Sequence, residues 1–291
     1  MKEITLEELL EAGCHFGHQV TRSNPKARDF VFESRDNIQI IDLAKTKQGL
    51  DEAAQFVKEL GQNGKTLLVV ATKKQAKQLV EEEALRIRET LKPQTAKNGQ
   101  KLFYITQRWI GGILTNFTEV SRNFKKLADL KAKLESPEEK AKYTKKEIGL
   151  WDKERQRLEL FYQGISEMSQ KPDALFIVDS HLENLAVRES LATNVTTVAI
   201  VDTNADPFVI DYPIPANDDA VGSIKLIVSH ILDAFALGVK SQKASKEEKQ
   251  ETQGVQKPKE AKKTEIKAQK PSQKKEKPKT KTKTKKSAKN K

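Results

Sequence analysis

Sulfur chemistry is almost missing from this chain: Cys14 is its only cysteine among 291 residues. One thiol excludes an intramolecular disulfide and fits a reducing compartment. Aromatic residues are scarce, at 6%. No apolar run is expected to reach the roughly 20 residues that a membrane helix needs, so no membrane partner is expected. The opening MKEITLEELLEAG is acidic and lacks an apolar centre, so it reads as neither a secretory signal nor a transit peptide. The expectation is a soluble, cytoplasmic protein.

Nucleotide-binding loops are missing too. Gly64-Lys65-Thr66 resembles the end of a P-loop, but Glu59 stands where the first glycine belongs, and the tripeptide opens a strand instead of a helix. No G-x-G-x-x-G follows a strand, and no Ser-His or Cys-His constellation stands out. The chain is therefore expected to be no enzyme and to need no cofactor. The alternative is an enzyme binding a phosphorylated small molecule at the strand ends of an α/β sheet.

Charge is unevenly placed. The formal net charge is +12, yet residues 241–291 hold 19 lysines and 6 glutamates. Residues 1–240 are left with 34 basic and 35 acidic side chains. Nucleic-acid binding by the body must therefore rest on local patches, whereas the tail suits sequence-independent attraction to phosphate.

The hydropathy pattern alternates between strand and helix. Thr5 and Glu8 form a capping box that opens a short helix ending near Gly13. Short β-rich runs follow at residues 30–32 and 38–42, then a helix to Gly61 with Leu50, Ala53, Ala54, Val57 and Leu60 on one face. TLLVVAT (66–72), LFYIT (102–106), ALFIVD (174–179) and TVAIVD (197–202) read as buried parallel strands, with a short strand at 213–217 and a final helix after it. The fold class is three-layer α/β with a mostly parallel sheet. Apolar residues at Phe117, Val120, Phe124, Leu127, Leu130 and Leu134 resume at Ile148, Trp151, Leu158, Phe161, Ile165 and Met168. That spacing predicts an antiparallel helical hairpin with a coiled-coil seam, broken near Ser136-Pro137. The expected organisation is a discontinuous globular domain over 1–116 and 170–240, the hairpin over 117–169, and a disordered Lys-rich tail over 241–291.

RWIGGILTNF, from Arg108 to Phe117, is the most informative string. Arg108 offers a phosphate fork and Trp109 a stacking face, Gly111-Gly112 a tight turn, and Asn116 or Thr115 a cap for the next helix. Candidate RNA-binding residues are Arg22, Lys26, Arg28, Lys73, Lys74, Arg108, Trp109, Asn116, Arg122, Lys125 and Lys126. Lys73-Lys74 and Arg108-Trp109 both follow strands at what should be one sheet edge. GCHFGH (13–18) reads as a structured turn whose imidazoles bond backbone or RNA. No metal is expected; the site considered for one is His18 with Asp179 and Asp202. The carboxylates of VDTNADP and PANDDA read as turn and helix-capping groups.

Five strings resemble, in order and spacing, the bacterial small-subunit ribosomal proteins of the S-two family. They are GCHFGHQ with NPK (Gly13 to Gln19, Asn24 to Lys26), RWIGGILTNF, DALFIVD (Asp173 to Asp179), AIVDTNADP (Ala199 to Pro207) and IPANDDA (Ile214 to Ala220). The resemblance covers about residues 4–238. It implies a flavodoxin-like domain with an inserted helical hairpin, acting as a structural constituent of the small ribosomal subunit. It further implies ribosomal RNA and other small-subunit proteins, including the S-one protein, as partners. Ser23 departs from the family, where an aromatic is common, and the segment 88–101 is long, expected as a loop around Pro93 and Gly99.

Overall fold

The structure, a computed structural model, describes residues 3–95, 99 and 101–254. In chain order its elements are α1 (Leu6–Glu11), β1 (Phe16–Gln19), β2 (Val31–Arg35), β3 (Ile38–Ile41), α2 (Leu43–Gln62) and β4 (Leu67–Val70). Then come α3 (Lys74–Thr95), β5 (Leu102–Ile105), α4 (Phe117–Glu135), α5 (Pro137–Ala141) and α6 (Lys145–Tyr162). The chain continues with β6 (Ala174–Val178), α7 (Asn184–Thr193), β7 (Thr196–Val201), β8 (Tyr212–Pro215) and α8 (Val221–Gly254).

Five strands form one all-parallel sheet in the order β5-β4-β6-β7-β8. The first strand of this sheet thus lies between its second and third, the doubly-wound order with a switch point between β4 and β6. Alternate side chains of each strand enter opposite cores. Leu67, Val69, Phe176 and Val178 pack with α2, α3 and α8, whereas Leu68, Val70, Leu175 and Ile177 pack with the signature loop, α4 and α7. Burial on both faces explains why these strands read as continuous apolar runs.

Several boundaries differ from expectation. GCHFGH is a turn only over Gly13–His15; residues 16–19 form β1, which joins β3 and β2 in a separate antiparallel sheet. The glycines and histidines hid that strand, since none of them is typical of β-structure. Segment 88–101 is not a loop from its start, because α3 continues to Thr95. Arg88 holds that helix in place, donating to the carbonyls of Leu102 (2.9 Å) and Gly164 (2.7 Å). The boundary drawn at Lys240 falls inside α8, which runs on to Gly254. The rest of the lysine-rich segment, 255–291, lies outside the described residues.

The expectation about apolar runs is also corrected. Val221–Gln242 is long and apolar enough to cross a membrane by length and composition. Its apolar side is occupied within the protein: Ile224, Ile227, Val228, Ile231, Leu232 and Phe235 are fully buried in the core shared with α2 and α3.

Between β5 and β6 lie α4, α5 and α6. Phe124 meets the Tyr162 ring edge-on and Lys133 lies over the Trp151 ring, so α4 and α6 run antiparallel. Lys126–Glu154 and Lys131–Glu159 ion pairs bridge the two helices. The break at Ser136-Pro137 is there too, but it opens the short α5, which Ser136 caps through Glu139 N.

Candidate functional site

The signature loop follows β5, at the carboxyl edge of the sheet, and one residue from elsewhere sets its shape. Glu189, on α7, is buried at 7% exposure. One of its carboxylate oxygens accepts from Gly112 N at 2.8 Å and from Trp109 Nε1 at 3.2 Å. The other accepts from Leu114 N, Thr115 N and Thr115 Oγ1 at 3.2–3.4 Å. Burial alone would raise the carboxyl pKa, but these donors outweigh it and hold it below the usual carboxylate range. Gly112, at φ +98°, makes the turn that aims three amides at one anion. The loop is thus an anion nest that the protein itself fills. Glu189 was invisible in the sequence, where it reads as one more charge on a helix.

That arrangement separates the two leading candidates. Trp109 is 5% exposed and belongs to the second core, so it packs instead of offering a free stacking face. Arg108 is exposed, and it has no ion-pair partner among the described residues. Arg108, Trp109, Ile110 and Gly111 face Phe161 and Tyr162 of the hairpin base across a shallow cavity of about 290 Å³. Asn116 stands at the N-cap of α4 but makes no side-chain capping bond, while Thr115 turns back to Glu189.

Lys74 and Arg108 do follow neighbouring strands at one edge, where Lys77 Nζ also donates to Gln107 at 3.2 Å. Lys73 does not share their exposure. Its ammonium lies 2.6 Å from Asp218, 2.7 Å from Asp219 and 3.2 Å from Asp179. Burial opposes the charged form, but the bonds to Asp218 and Asp219 prevail and raise its pKa. Such a cation is committed internally. Of the other candidates, Lys26 pairs with Asp206, Arg122 with Glu119 and Lys126 with Glu154. Arg22, Arg28, Lys74 and Lys125 are exposed without an ion pair among the described residues.

The carboxylates beyond β6, β7 and β8 are more than caps. Asp206 does cap, accepting from Phe208 N. Ahead of α8, however, Asn217 takes that role, accepting from Asp219 N and Ala220 N. Asp218 is instead fully buried, and its pKa is pushed up to about 7 by burial and by the nearby charges of Asp179 and Asp202, against the pull of Lys73. His18 is brought to Asp202 (Nδ1–Oδ1 3.2 Å), whereas Asp179 turns to Lys73. The trio His18, Asp179 and Asp202 is therefore not gathered as one ligand set.

This acidic edge finds no use for a phosphorylated ligand. Asp179, Asp202, Asp218 and Asp219 would repel it, and Lys73, held by three of them, is already paired. The doubly-wound sheet and the five ordered strings agree with a comparison to known families. The sequence profile described as Ribosomal protein S2 matches residues 9–238, which spans both halves of the sheet and the hairpin between them. The chain belongs to the ribosomal protein S2 family, and with it to the structural constituents of the small ribosomal subunit.

Proposed function

We propose that this chain serves the small subunit by docking, without catalysis, through exposed cations held on a rigid body. The supporting observation is Arg108. It projects from a loop that Glu189 fixes at five points, and no carboxylate among the described residues neutralises it. A guanidinium held this way loses little entropy on meeting a phosphate. Lys74, Arg22, Arg28 and Lys125 add cations of the same kind. Contacts of this sort go to the RNA backbone and its shape; they do not read bases.

In this reading the partners are small-subunit ribosomal RNA, neighbouring ribosomal proteins and the S-one protein, and the setting is the cytoplasmic ribosome. The helices α4 and α6 form a coiled-coil seam that presents Lys125 and the lysines near the hairpin tip. Residues 241–291 act as a lysine-rich arm that attracts phosphate without regard to sequence.

Sedimentation of a native lysate through sucrose, at low and at moderate salt, tests this reading. The chain is expected to co-migrate with the small subunit at both. A peak that stays at the top of the gradient at every salt would overturn it.

A further inference from the structure

We propose that the cavity between the signature loop and the base of α6 takes one unpaired nucleobase of RNA, stacked on Phe161, with its phosphate on Arg108. This rests on the docking reading above and adds a second kind of contact to it. Arg108, Trp109, Ile110 and Gly111 line the cavity from the loop, Phe161 and Tyr162 from α6. At about 290 Å³ it falls just below the roughly 300–1,000 Å³ of drug-sized ligand sites, so it has room for one ring system and little more.

Charge sets this cavity apart from two larger ones. Beside α5, a cavity of about 660 Å³ has Glu135, Asp152 and Glu159 in its lining. Between α3 and α8, one of about 350 Å³ has Asp233. A nucleotide phosphate would be repelled by those carboxylates. Among the described residues no carboxylate lines the cavity beside Arg108. Glu189 lies behind the loop, its oxygens taken by the loop's own donors.

Aromatic residues are 6% of the chain, yet they make up three of the six lining residues here. Trp109 and Tyr162 are buried and back the cavity, whereas Phe161 is only partly buried and keeps some of its ring open. Every base has a π-face, so this ring can stack any of the four without reading its identity. Asn123 Nδ2 donates to Tyr162 Oη at 2.9 Å, which leaves the phenol proton to donate to a base edge.

Both walls are formed before anything binds. Glu189 holds the loop through the amides of Gly112, Leu114 and Thr115. On the other side α6 leads into Gly164, which lies against Tyr104 and whose carbonyl accepts from Arg88 at 2.7 Å. Walls that are already fixed add little ordering cost, so stacking contributes to affinity nearly in full.

The test uses the full chain and one RNA stem-loop in three forms: with a single bulged 2-aminopurine, with an abasic bulge, and with no bulge. The lysine-rich tail attracts all three alike, so the ratio of affinities isolates the cavity. The aminopurine form should bind at least about fivefold tighter than the abasic form, as one base stacked on an aromatic ring requires, and its emission should be quenched. Phe161→Leu, which keeps an apolar side chain but no ring, should remove the preference and the quenching with an unchanged circular dichroism spectrum. Phe161→Tyr should keep both. Arg108→Ala should weaken the aminopurine and abasic forms by a similar factor. Equal affinity for those two forms in the parent would overturn the site and leave the cavity to a side chain of a neighbouring protein, while binding of all three would keep the docking reading. A preference that survives in Phe161→Leu would also overturn the site. Failure of every form to bind at low salt would overturn the site and the docking reading together.

Discussion

The carboxylate of Glu189 and the amide of Gly112 are 77 residues apart in sequence and 2.8 Å apart in space. That bond, with the one from Trp109 Nε1 to the same oxygen, joins α7 to the signature loop. The loop's conformation therefore depends on a charge that acid can remove.

Glu189 has a folded pKa below that of the unfolded chain, so its contribution is present in full above the usual carboxylate range and is lost as pH falls through the lowered folded value. Because Trp109 is a direct partner, its fluorescence should report the release; Trp151→Phe removes the other indole signal. The expected result is an acid transition in Trp109 emission that is absent from Glu189→Gln. An identical transition in both proteins would assign the acid step to another group.

Gly112→Ala places a side chain at φ +98°, where the added Cβ meets only ordinary contacts, the nearest at 3.5 Å from Asn116 Cβ. The cost is therefore backbone strain, about 1–3 kcal/mol. Urea denaturation should show that loss in midpoint with an unchanged slope.

Arg108→Ala should leave the melting temperature of the isolated protein within a degree or two, because the side chain is exposed and unpaired among the described residues. Incorporation into small subunits should fall. A large drop in thermal stability would show instead that Arg108 supports the core.

Lys73→Met removes the only ammonium among the described residues in contact with Asp218, Asp219 and Asp179. Breaking a buried ion pair from one side typically costs about 3–5 kcal/mol, since the partner charge is left behind. Denaturation at neutral pH should show a loss of that order, and Lys74→Met, at an exposed position, should show almost none.

Ending the chain after Gly254 deletes 16 lysines and 3 glutamates. If the arm meets phosphate, the plot of log affinity for RNA against log salt should flatten by several ion equivalents. An unchanged slope would mean that the segment never engages RNA.

Much of this fold was legible because its strands are buried on both faces. LLVV, LFYI and ALFIV announce themselves as apolar runs, and the helices between them carry regular stripes. β1 was not legible, since Phe16, Gly17, His18 and Gln19 have neither alternation nor β-branched residues. The candidate site was half legible. Arg108 and Trp109 stood out as residue types, but whether each faces solvent or core depends on packing that no local pattern encodes. Glu189 and Lys73 are harder still, because their roles are set by partners far away in sequence.

The sheet's two ends complete the account. Its outer strand β5 is overlaid at the hairpin base, where Gly164 approaches Tyr104 so closely that any Cβ would strike the Tyr104 carbonyl, and where Arg88 takes the Leu102 carbonyl. At the opposite end, Pro213 and Pro215 deprive β8 of two N–H donors. Neither margin offers an unbroken ladder to which a second chain could add a strand. A sheet closed at both margins gives copies of the free chain no open ladder along which to polymerise.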